Sequence, residues 1–233
     1  MVATYRDGIL VDHLVAKAFA TNCWILGREG SGQALLVDPG IGDPYLHQAL
    51  LERCRELALH PVATIITHGH VDHMFSVAPL CSAERIPAYI HGHDRQLLAN
   101  PERALSPSAR SMIPDGLTFA EPEEVFELND GMALEIAGLA LRFYHTPGHT
   151  PGSIVATIGE EYLISGDVLF AGSIGRTDLP LGSLSDMETS LREKILPLPD
   201  ELQVLPGHGR TTTIGAERRN NPFLRAAMEG RLG

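Results

Sequence analysis

The chain has 233 residues, which is long enough to bury a sizeable core and suits one large α/β domain or two small ones. Hydrophobic residues make up 44% and charged residues 20%, without any charge run or low-complexity tract, which excludes a disordered protein. The formal net charge of −11 opposes non-specific binding to nucleic acid or anionic lipid. We predict a single domain over residues 1–233 that acts on a small molecule, without nucleic-acid or membrane partners, as a monomer or a homodimer.

The amino terminus and the cysteines bear on the cellular compartment. Residues 1–10 include Arg6 and Asp7 in place of a long apolar run, so they resemble neither a signal peptide nor a membrane anchor. We therefore expect a cytoplasmic protein. The cysteines are widely spaced and form no CxxC pair, which argues against a disulfide framework and against a thiolate metal site. We expect buried, unreactive thiols at Cys23, Cys54 and Cys81.

The first predicted elements are a strand and a helix. The short apolar run at 33–37 ends at Asp38-Pro39-Gly40, which predicts a buried strand that closes in a turn. A helix should follow, with Asp43 as its cap and Pro44 in its first turn. Its apolar face is predicted to contain Leu46, Leu50, Cys54 and Leu57.

Four later predicted strands end at polar motifs. The strands cover 61–66, 139–144, 162–165 and 203–205, and the motifs that follow them are Thr67 to His73, Gly148-His149, Gly166-Asp167 and Gly207-His208. Residues 134–136 and 153–158 are predicted partner strands, and the pattern Ser185-Asp186-Met187-Glu188 predicts the start of a helix with Met187, Leu191 and Ile195 facing inward. Functional sites in α/β proteins usually lie at strand ends, so we expect these motifs to meet at one rim.

The segment from Thr67 to His73 has the composition of a metal-binding loop. His68, His70, Asp72 and His73 fall within six residues, too close together to form one face of a helix, so we expect a loop to spread them. Imidazole and carboxylate ligands suit Zn²⁺, with iron or manganese as alternatives. The remaining histidines are predicted to be surface or packing residues: His13, His47, His60, His91, His93 and His145. For His91 and His93, the alternative is a second, weak metal site.

In their order and spacing, these motifs resemble the metallo-β-lactamase superfamily. The resemblance extends from about residue 10 to the carboxyl terminus and implies an αββα sandwich, two mixed sheets flanked by helices. It also implies two divalent metal ions, most simply zinc. By position, the resemblance assigns the first ion to His68, His70 and His149, the second to Asp72, His73 and His208, and a bridging role to Asp167.

The chemistry of such a site is hydrolysis. Two adjacent cations lower the pKa of a shared water, and the bridging hydroxide would attack a carbonyl carbon while Asp72 ligates metal and accepts a proton. A thiolate leaves without much acid assistance, because free thiols have a pKa of roughly 8.5. The expected substrate is therefore a thioester.

Three further stretches, at residues 166–170, 175–178 and 221–224, resemble the glyoxalase II branch, in particular its short hydroxyacylglutathione hydrolases. This resemblance implies hydrolysis of S-D-lactoylglutathione or of the ester of another low-molecular-weight thiol. It also implies that Arg176 contacts the substrate carboxylate; the alternative is a surface arginine paired with Asp178. The rival hypothesis is a persulfide dioxygenase with a single iron held by His68, by His70 or His149, and by Asp167.

Overall fold

The computed structural model describes residues 3–41, 46–110 and 118–232, apart from the side chains at 108 and 109. Its first sheet has seven strands: β1 (Thr4–Arg6), β2 (Ile9–Val15), β3 (Asn22–Arg28), β4 (Gln33–Val37), β5 (His60–Ile65), β6 (Ala88–His91) and β7 (Val125–Leu128). They lie in the sheet in this same order. The pairs from β1 to β4 are antiparallel and those from β4 to β7 are parallel, so the sheet is mixed.

The later strands form a second mixed sheet and a small hairpin. In chain order they are β8 (Ala133–Ile136), β9 (Leu139–His145), β10 (Ile154–Ile158), β11 (Tyr162–Gly166), β12 (Leu169–Phe170), β13 (Ser173–Ile174), β14 (Gln203–Pro206) and β15 (Thr212–Thr213). The second sheet has the order β15-β14-β11-β10-β9-β8, and β12 pairs with β13. Within the second sheet β11 and β14 are parallel, and the other neighbours are antiparallel.

The helices follow the strands at the outer faces and rims. They are α1 (Leu46–Glu56), α2 (Val71–Met74), α3 (Val77–Glu84), α4 (Gly92–Arg95), α5 (Pro107–Arg110), α6 (Leu184–Ser190), α7 (Ile214–Asn220) and α8 (Pro222–Met228). Helix α6 continues into a π-helical turn, Leu191–Ile195, and two short 3₁₀ turns occupy Gln96–Leu98 and Pro101–Ala104. None of the described helices is both long and apolar enough to cross a membrane.

The two sheets pack face to face, with helices outside both. Alternate residues of each central strand point to opposite faces, and both faces are buried. Ile154 and Ala156 of β10 join the core between the sheets, whereas Val155 packs under α6, α7 and α8. On the first sheet, Leu35 faces the shared core while Leu36 packs beneath α1. This arrangement confirms the predicted αββα sandwich and explains why these strands are apolar without alternation.

Most predicted elements occur, with adjusted ends. Leu46, Leu50 and Cys54 are buried on α1 as predicted, and the helix ends at Glu56 because Ala58 has a positive φ of 56°. The predicted cap of that helix, Asp43 followed by Pro44, lies outside the described residues.

The second predicted cap is wrong by two positions. Ser183, not Ser185, precedes α6, and its hydroxyl accepts a hydrogen bond from Asp186 N. The inward face of this helix is confirmed, since Met187, Leu191 and Ile195 are all buried.

Candidate metal centre

All seven residues expected to ligate metal lie together at one rim of the sandwich. They follow the ends of β5, β9, β11 and β14, as the strand-end pattern predicts. One local detail differs from the expected loop. Asp72 and His73 belong to the single helical turn α2, so only His68 and His70 lie in the preceding loop. The turn directs two adjacent side chains into the same cluster.

The side chains form three overlapping groups, each with donor atoms within 4.8 Å of one another. The groups are His68, His70 and His149; Asp72, His73 and His208; and His68, His73 and Asp167. Asp167 stands between the first two groups. One of its oxygens lies 3.5 Å from His149 Nε2 and 3.4 Å from His208 Nε2, and the other lies 3.4 Å from His73 Nε2.

The unpaired atoms of this cluster fit metal ions. Among the described side chains, His68 Nε2, His70 Nε2 and Asp167 Oδ1 are buried and have no hydrogen-bond partner. In addition, His70 Nδ1 and His149 Nε2 are 2.8 Å apart. Buried polar atoms without partners are unfavourable, and a cation bound by this donor set would remove that penalty. Nitrogen and carboxylate donors without sulfur suit zinc, iron or manganese.

Burial and neighbouring charges divide the histidines into two types. Burial, the largest influence, together with His149 lowers the pKa of His70 to about 3, so its ring is neutral and able to ligate metal. Burial acts in the same direction on His208, but Asp167 and Asp72 outweigh it and raise the pKa of His208 to about 10. Without a metal ion, a proton on His208 therefore balances the negative charge of Asp72 and Asp167, as a bound cation would.

A carboxylate outside the seven-residue cluster, that of Asp38, supports histidines of both groups. The Thr67 hydroxyl donates to Asp38 Oδ2 at 2.7 Å, and its oxygen is left to accept from His68 Nδ1 at 3.1 Å. His73 Nδ1 donates to the same carboxylate oxygen at 2.9 Å. These contacts place the ring protons on Nδ1 and leave Nε2 of His68 and of His73 facing the centre.

His149 is fixed in the same way by a backbone carbonyl. Its Nδ1 donates to Arg176 O at 2.7 Å, which leaves Nε2 directed at Asp167 and His70. The loop that carries Arg176 therefore positions a donor atom through its main chain, whatever the arginine side chain contacts.

Asp94 ties together the loops that carry His70 and His149. It is a fully buried residue of α4 and accepts hydrogen bonds from Gly69 N at 2.8 Å, Thr150 Oγ1 at 2.6 Å and Gly152 N at 2.7 Å. Burial, the dominant influence, raises the pKa of Asp94, and these three donors oppose that effect. The carboxylate thereby fixes the distance between the two histidine-bearing loops.

Sequence reasoning missed both supporting carboxylates. The sequence pattern assigns Asp38 only to a turn, although it directly follows the buried end of β4 and is itself buried at a positive φ of 51°. An ionisable residue directly after a buried strand was the available signal. Asp94 gave no such signal, because its partners are up to 58 positions away in the chain.

A cavity of about 510 Å³ opens directly onto the centre. Asp72, His149, Asp167 and His208 form its polar floor, while its walls are mainly apolar and include Phe19, Phe170, Ile174 and Leu179. Arg176 also lines it, but the guanidinium forms two hydrogen bonds with the exposed carboxylate of Asp178, at 2.8 and 2.7 Å. The structure thus contains the pair that was the alternative explanation for Arg176.

The comparisons with known proteins agree with this architecture. The model of the metallo-beta-lactamase superfamily matches residues 16–208. The hydroxyacylglutathione hydrolase GloC of Haemophilus influenzae is 35% identical, over 92% of this chain and 97% of its own. A crystal structure of the B3 metallo-beta-lactamase BLEG-1 has 38% identity and a TM-score of 0.80, over 92% of this chain and 99% of its own. The structure of TTHA1623 in a di-iron-bound form has 36% identity and a TM-score of 0.75, over 91% and 100%.

Proposed function

This chain belongs to the metallo-beta-lactamase superfamily, and from that premise we propose that it hydrolyses thioesters of a low-molecular-weight thiol, such as S-D-lactoylglutathione. The observation that carries the proposal is the buried cluster with two donor groups on either side of Asp167, at the floor of an open cavity. The likeness to a protein named as a hydroxyacylglutathione hydrolase supports the substrate class.

The proposed ligands divide between two divalent ions. His68, His70 and His149 would hold one ion, Asp72, His73 and His208 the other, and Asp167 both. When bound, the ions supply Lewis-acid activation of water and stabilisation of negative charge on the substrate oxygen. We propose zinc as the metal, with iron as the main alternative, since a relative of similar size binds two irons.

The protein's own contribution includes the position of a proton acceptor. Asp72 lines the cavity, and its Oδ2 is held by the Thr21 hydroxyl at 3.3 Å and by His208 at 3.3 Å. With both contacts in place, the Asp72 carboxylate still lines the cavity, where a water that attacks a bound substrate carbonyl would lie. We propose that Asp72 takes the proton from that water.

The cavity favours a leaving group that needs no protonation. Its described lining residues include neither lysine, tyrosine nor cysteine, and the histidines that line it, His70, His149 and His208, are all proposed metal ligands, so none of the usual proton donors is left free opposite Asp72. A thiolate with a pKa of about 8.5 can depart unprotonated, whereas the nitrogen of an amide must be protonated. A thioester is therefore the better substrate for this site than a peptide or a β-lactam.

Recognition of the thiol part would depend on the rim. We propose that Arg176 binds a carboxylate of the substrate. To do so, its guanidinium must leave the exposed carboxylate of Asp178. An exposed ion pair stabilises a protein by only about 0–1 kcal/mol, so breaking the pair between Arg176 and Asp178 costs little free energy. The mainly apolar walls would then contact the acyl and thioether parts.

A second candidate function is oxidation of a persulfide at a single iron. The specific observation in its favour is that His68 shares one donor group with His70 and His149 and another with Asp167, while His149 Nε2 lies 3.5 Å from Asp167. Two histidines and one carboxylate are the ligand set of mononuclear non-haem iron oxygenases. The second donor group around His208 has no purpose in that reaction.

One experiment separates the two functions. The full-length protein is purified without added metal, its zinc, iron and manganese are counted, and each sample is assayed for S-D-lactoylglutathione hydrolysis and for oxygen uptake with glutathione persulfide. Two ions per chain with thioester cleavage are expected. One iron per chain with oxygen uptake, and no thioester cleavage, would replace the proposal with the second candidate.

A matched pair of variants tests the site itself. His70→Ala removes a buried residue of the cluster, and we expect loss of metal and of turnover. His60→Ala removes an exposed histidine at the start of β5 and should change neither. Normal hydrolysis by His70→Ala would overturn the assignment. A β-lactam included in the same assay should be cleaved far more slowly than the thioester.

A further inference from the structure

Three histidines outside the metal centre form a second compact cluster. His91 at the end of β6, His93 on α4 and His145 at the end of β9 each place a donor nitrogen within 4.8 Å of the other two. The rings of His91 and His145 stack, with centroids 3.9 Å apart and planes 9° apart. The ring of His93 is nearly perpendicular to both, and its centroid lies 4.8 Å from that of His91 and 5.5 Å from that of His145.

The hydrogen bonds of two of these rings prepare them as ligands. His145 Nε2 donates to Pro151 O at 2.8 Å, and His93 Nδ1 faces the same carbonyl at 3.4 Å. A carbonyl that accepts from one ring nitrogen leaves the lone pair on the other, His145 Nδ1 and His93 Nε2. A shared carbonyl thus sets the protonation of both.

The third ring, that of His91, is neutral and accepts a weak hydrogen bond. Burial, followed by the neighbouring His145 and His93, lowers the pKa of His91 to about 4. Its Nδ1 accepts from His93 N over 3.3 Å, at the long end of the hydrogen-bond range. If this ring turns to direct a nitrogen towards its neighbours, it gives up this long hydrogen bond and its stack on His145, and the bonds to the ion must replace both.

The cluster joins the two sheets and can be reached from solvent. His91 belongs to the first sheet and His145 to the second, while His93 is exposed. Two acidic residues lie beside the cluster, but each is already paired with a basic side chain: Asp130, which also accepts from His145 N at 3.0 Å, with Lys194 at 2.8 Å, and Glu127 with Arg95 at 3.2 Å. An ion here would link the sheets beside Asp94, which follows His93 directly.

We propose that His91, His93 and His145 bind a borderline divalent cation, Zn²⁺ or a similar transition-metal ion, at a site distinct from the metal centre. Three imidazoles and a water complete the tetrahedral coordination that zinc prefers. Because the ligands come from both sheets, the ion stabilises their relative position and does not act on the substrate. This site is independent of the proposed thioester hydrolysis.

The test is the number of zinc ions bound at equilibrium. The full-length wild-type protein, His93→Gln and His145→Gln are dialysed against the same micromolar concentration of free Zn²⁺, and bound zinc is counted per chain. We expect each variant to bind one ion fewer than the wild type and to keep its metal-dependent hydrolysis. His60→Gln, which changes an exposed histidine elsewhere, should bind as many ions as the wild type.

A crystal of the wild-type protein equilibrated with Zn²⁺ supplies a readout that does not depend on the variants. An anomalous difference peak at the zinc edge, between the three rings, is expected. Equal zinc counts in the wild type and both variants, or no peak between the rings, would overturn the proposal. A loss of two or more ions in both variants would also overturn it, because the cluster would then act through the metal centre.

Discussion

Replacing Asp38 with asparagine tests whether one buried carboxylate sets the protonation of histidines in both donor groups. Asp38 accepts hydrogen bonds from Thr67 N at 2.8 Å, Thr67 Oγ1 at 2.7 Å and His73 Nδ1 at 2.9 Å. Asparagine has a single acceptor oxygen. If that oxygen stays on Thr67 N, the new NH₂ group faces His73 Nδ1, and His73 must carry its proton on Nε2, the atom that faces the centre.

The expected result of Asp38→Asn is weaker metal binding by a folded protein. Loss of a supporting hydrogen bond to a ligating histidine lowers metal affinity about 10- to 100-fold, equivalent to about 1.4–2.8 kcal/mol. A competition titration of Zn²⁺ against a chromogenic chelator measures this change. Asp12→Asn is the matched control, because Asp12 is also buried but bonds to Arg53 and His13 N.

A second variant separates the contact of Asp38 with His68, through Thr67, from its contact with His73. Thr67→Val removes the hydroxyl that connects His68 to Asp38 and keeps the bond between Asp38 and His73. We expect it to weaken only one of the two bound ions. If Asp38→Asn binds zinc within about threefold of the wild type while keeping its fold, the supporting role of this carboxylate is refuted.

Three further predictions concern the cavity and the core. Gly207→Ala should weaken metal binding, because the added Cβ would press against Asp167 Oδ1, whereas the Cβ of Gly209→Ala meets open space and adds only the backbone strain of a positive φ of 77°, so its effect on metal binding should be much smaller. Arg176→Ala should raise KM for an anionic thioester, and Asp178→Ala should lower it by releasing the guanidinium; identical effects of both would contradict the proposed exchange. Burial raises the pKa of every cysteine, to about 11 or 12, so an aromatic disulfide reagent should label them only after denaturation; rapid labelling of the native protein would contradict their burial. The thiols concerned are Cys23, Cys54 and Cys81.

The sandwich could be predicted because its determinants are local. Strands such as β4 and β10 are almost entirely apolar, since both of their faces are covered, and this property can be recognised in four or five consecutive residues. Each polar motif follows directly from a strand end, so the order of the motifs also gives their place in space. The sheet order, by contrast, depends on pairs such as β11 with β14, whose partners are separated by about 40 residues and carry no shared pattern.

Short-range patterns were less reliable where two local choices were close in energy. Ser183 and Ser185 both lie at the start of the same helix, and the better sequence match to a capping box is Ser185 with Glu188. The chain instead begins the helix at Leu184, because Ser183 is extended and its hydroxyl reaches Asp186 N. The brief helical turn α2 is a comparable case, since one turn has too few positions to show a periodicity.

His145 and His149 show why the histidine clusters needed the structure. They lie four positions apart at the end of β9, yet they point to different clusters, because the break at Pro147 and Gly148 reverses the chain between them. The strand-end pattern predicts that His149 meets His70 at one rim although 79 residues separate the two, whereas only the family resemblance assigns both to the same ion. His145 had no such guide to His91, which lies in the other sheet. The packing of the two sheets determines which side chains a histidine contacts. Two histidines at the end of the same strand, such as His145 and His149, can therefore belong to different clusters, one to the metal centre and the other to the second site.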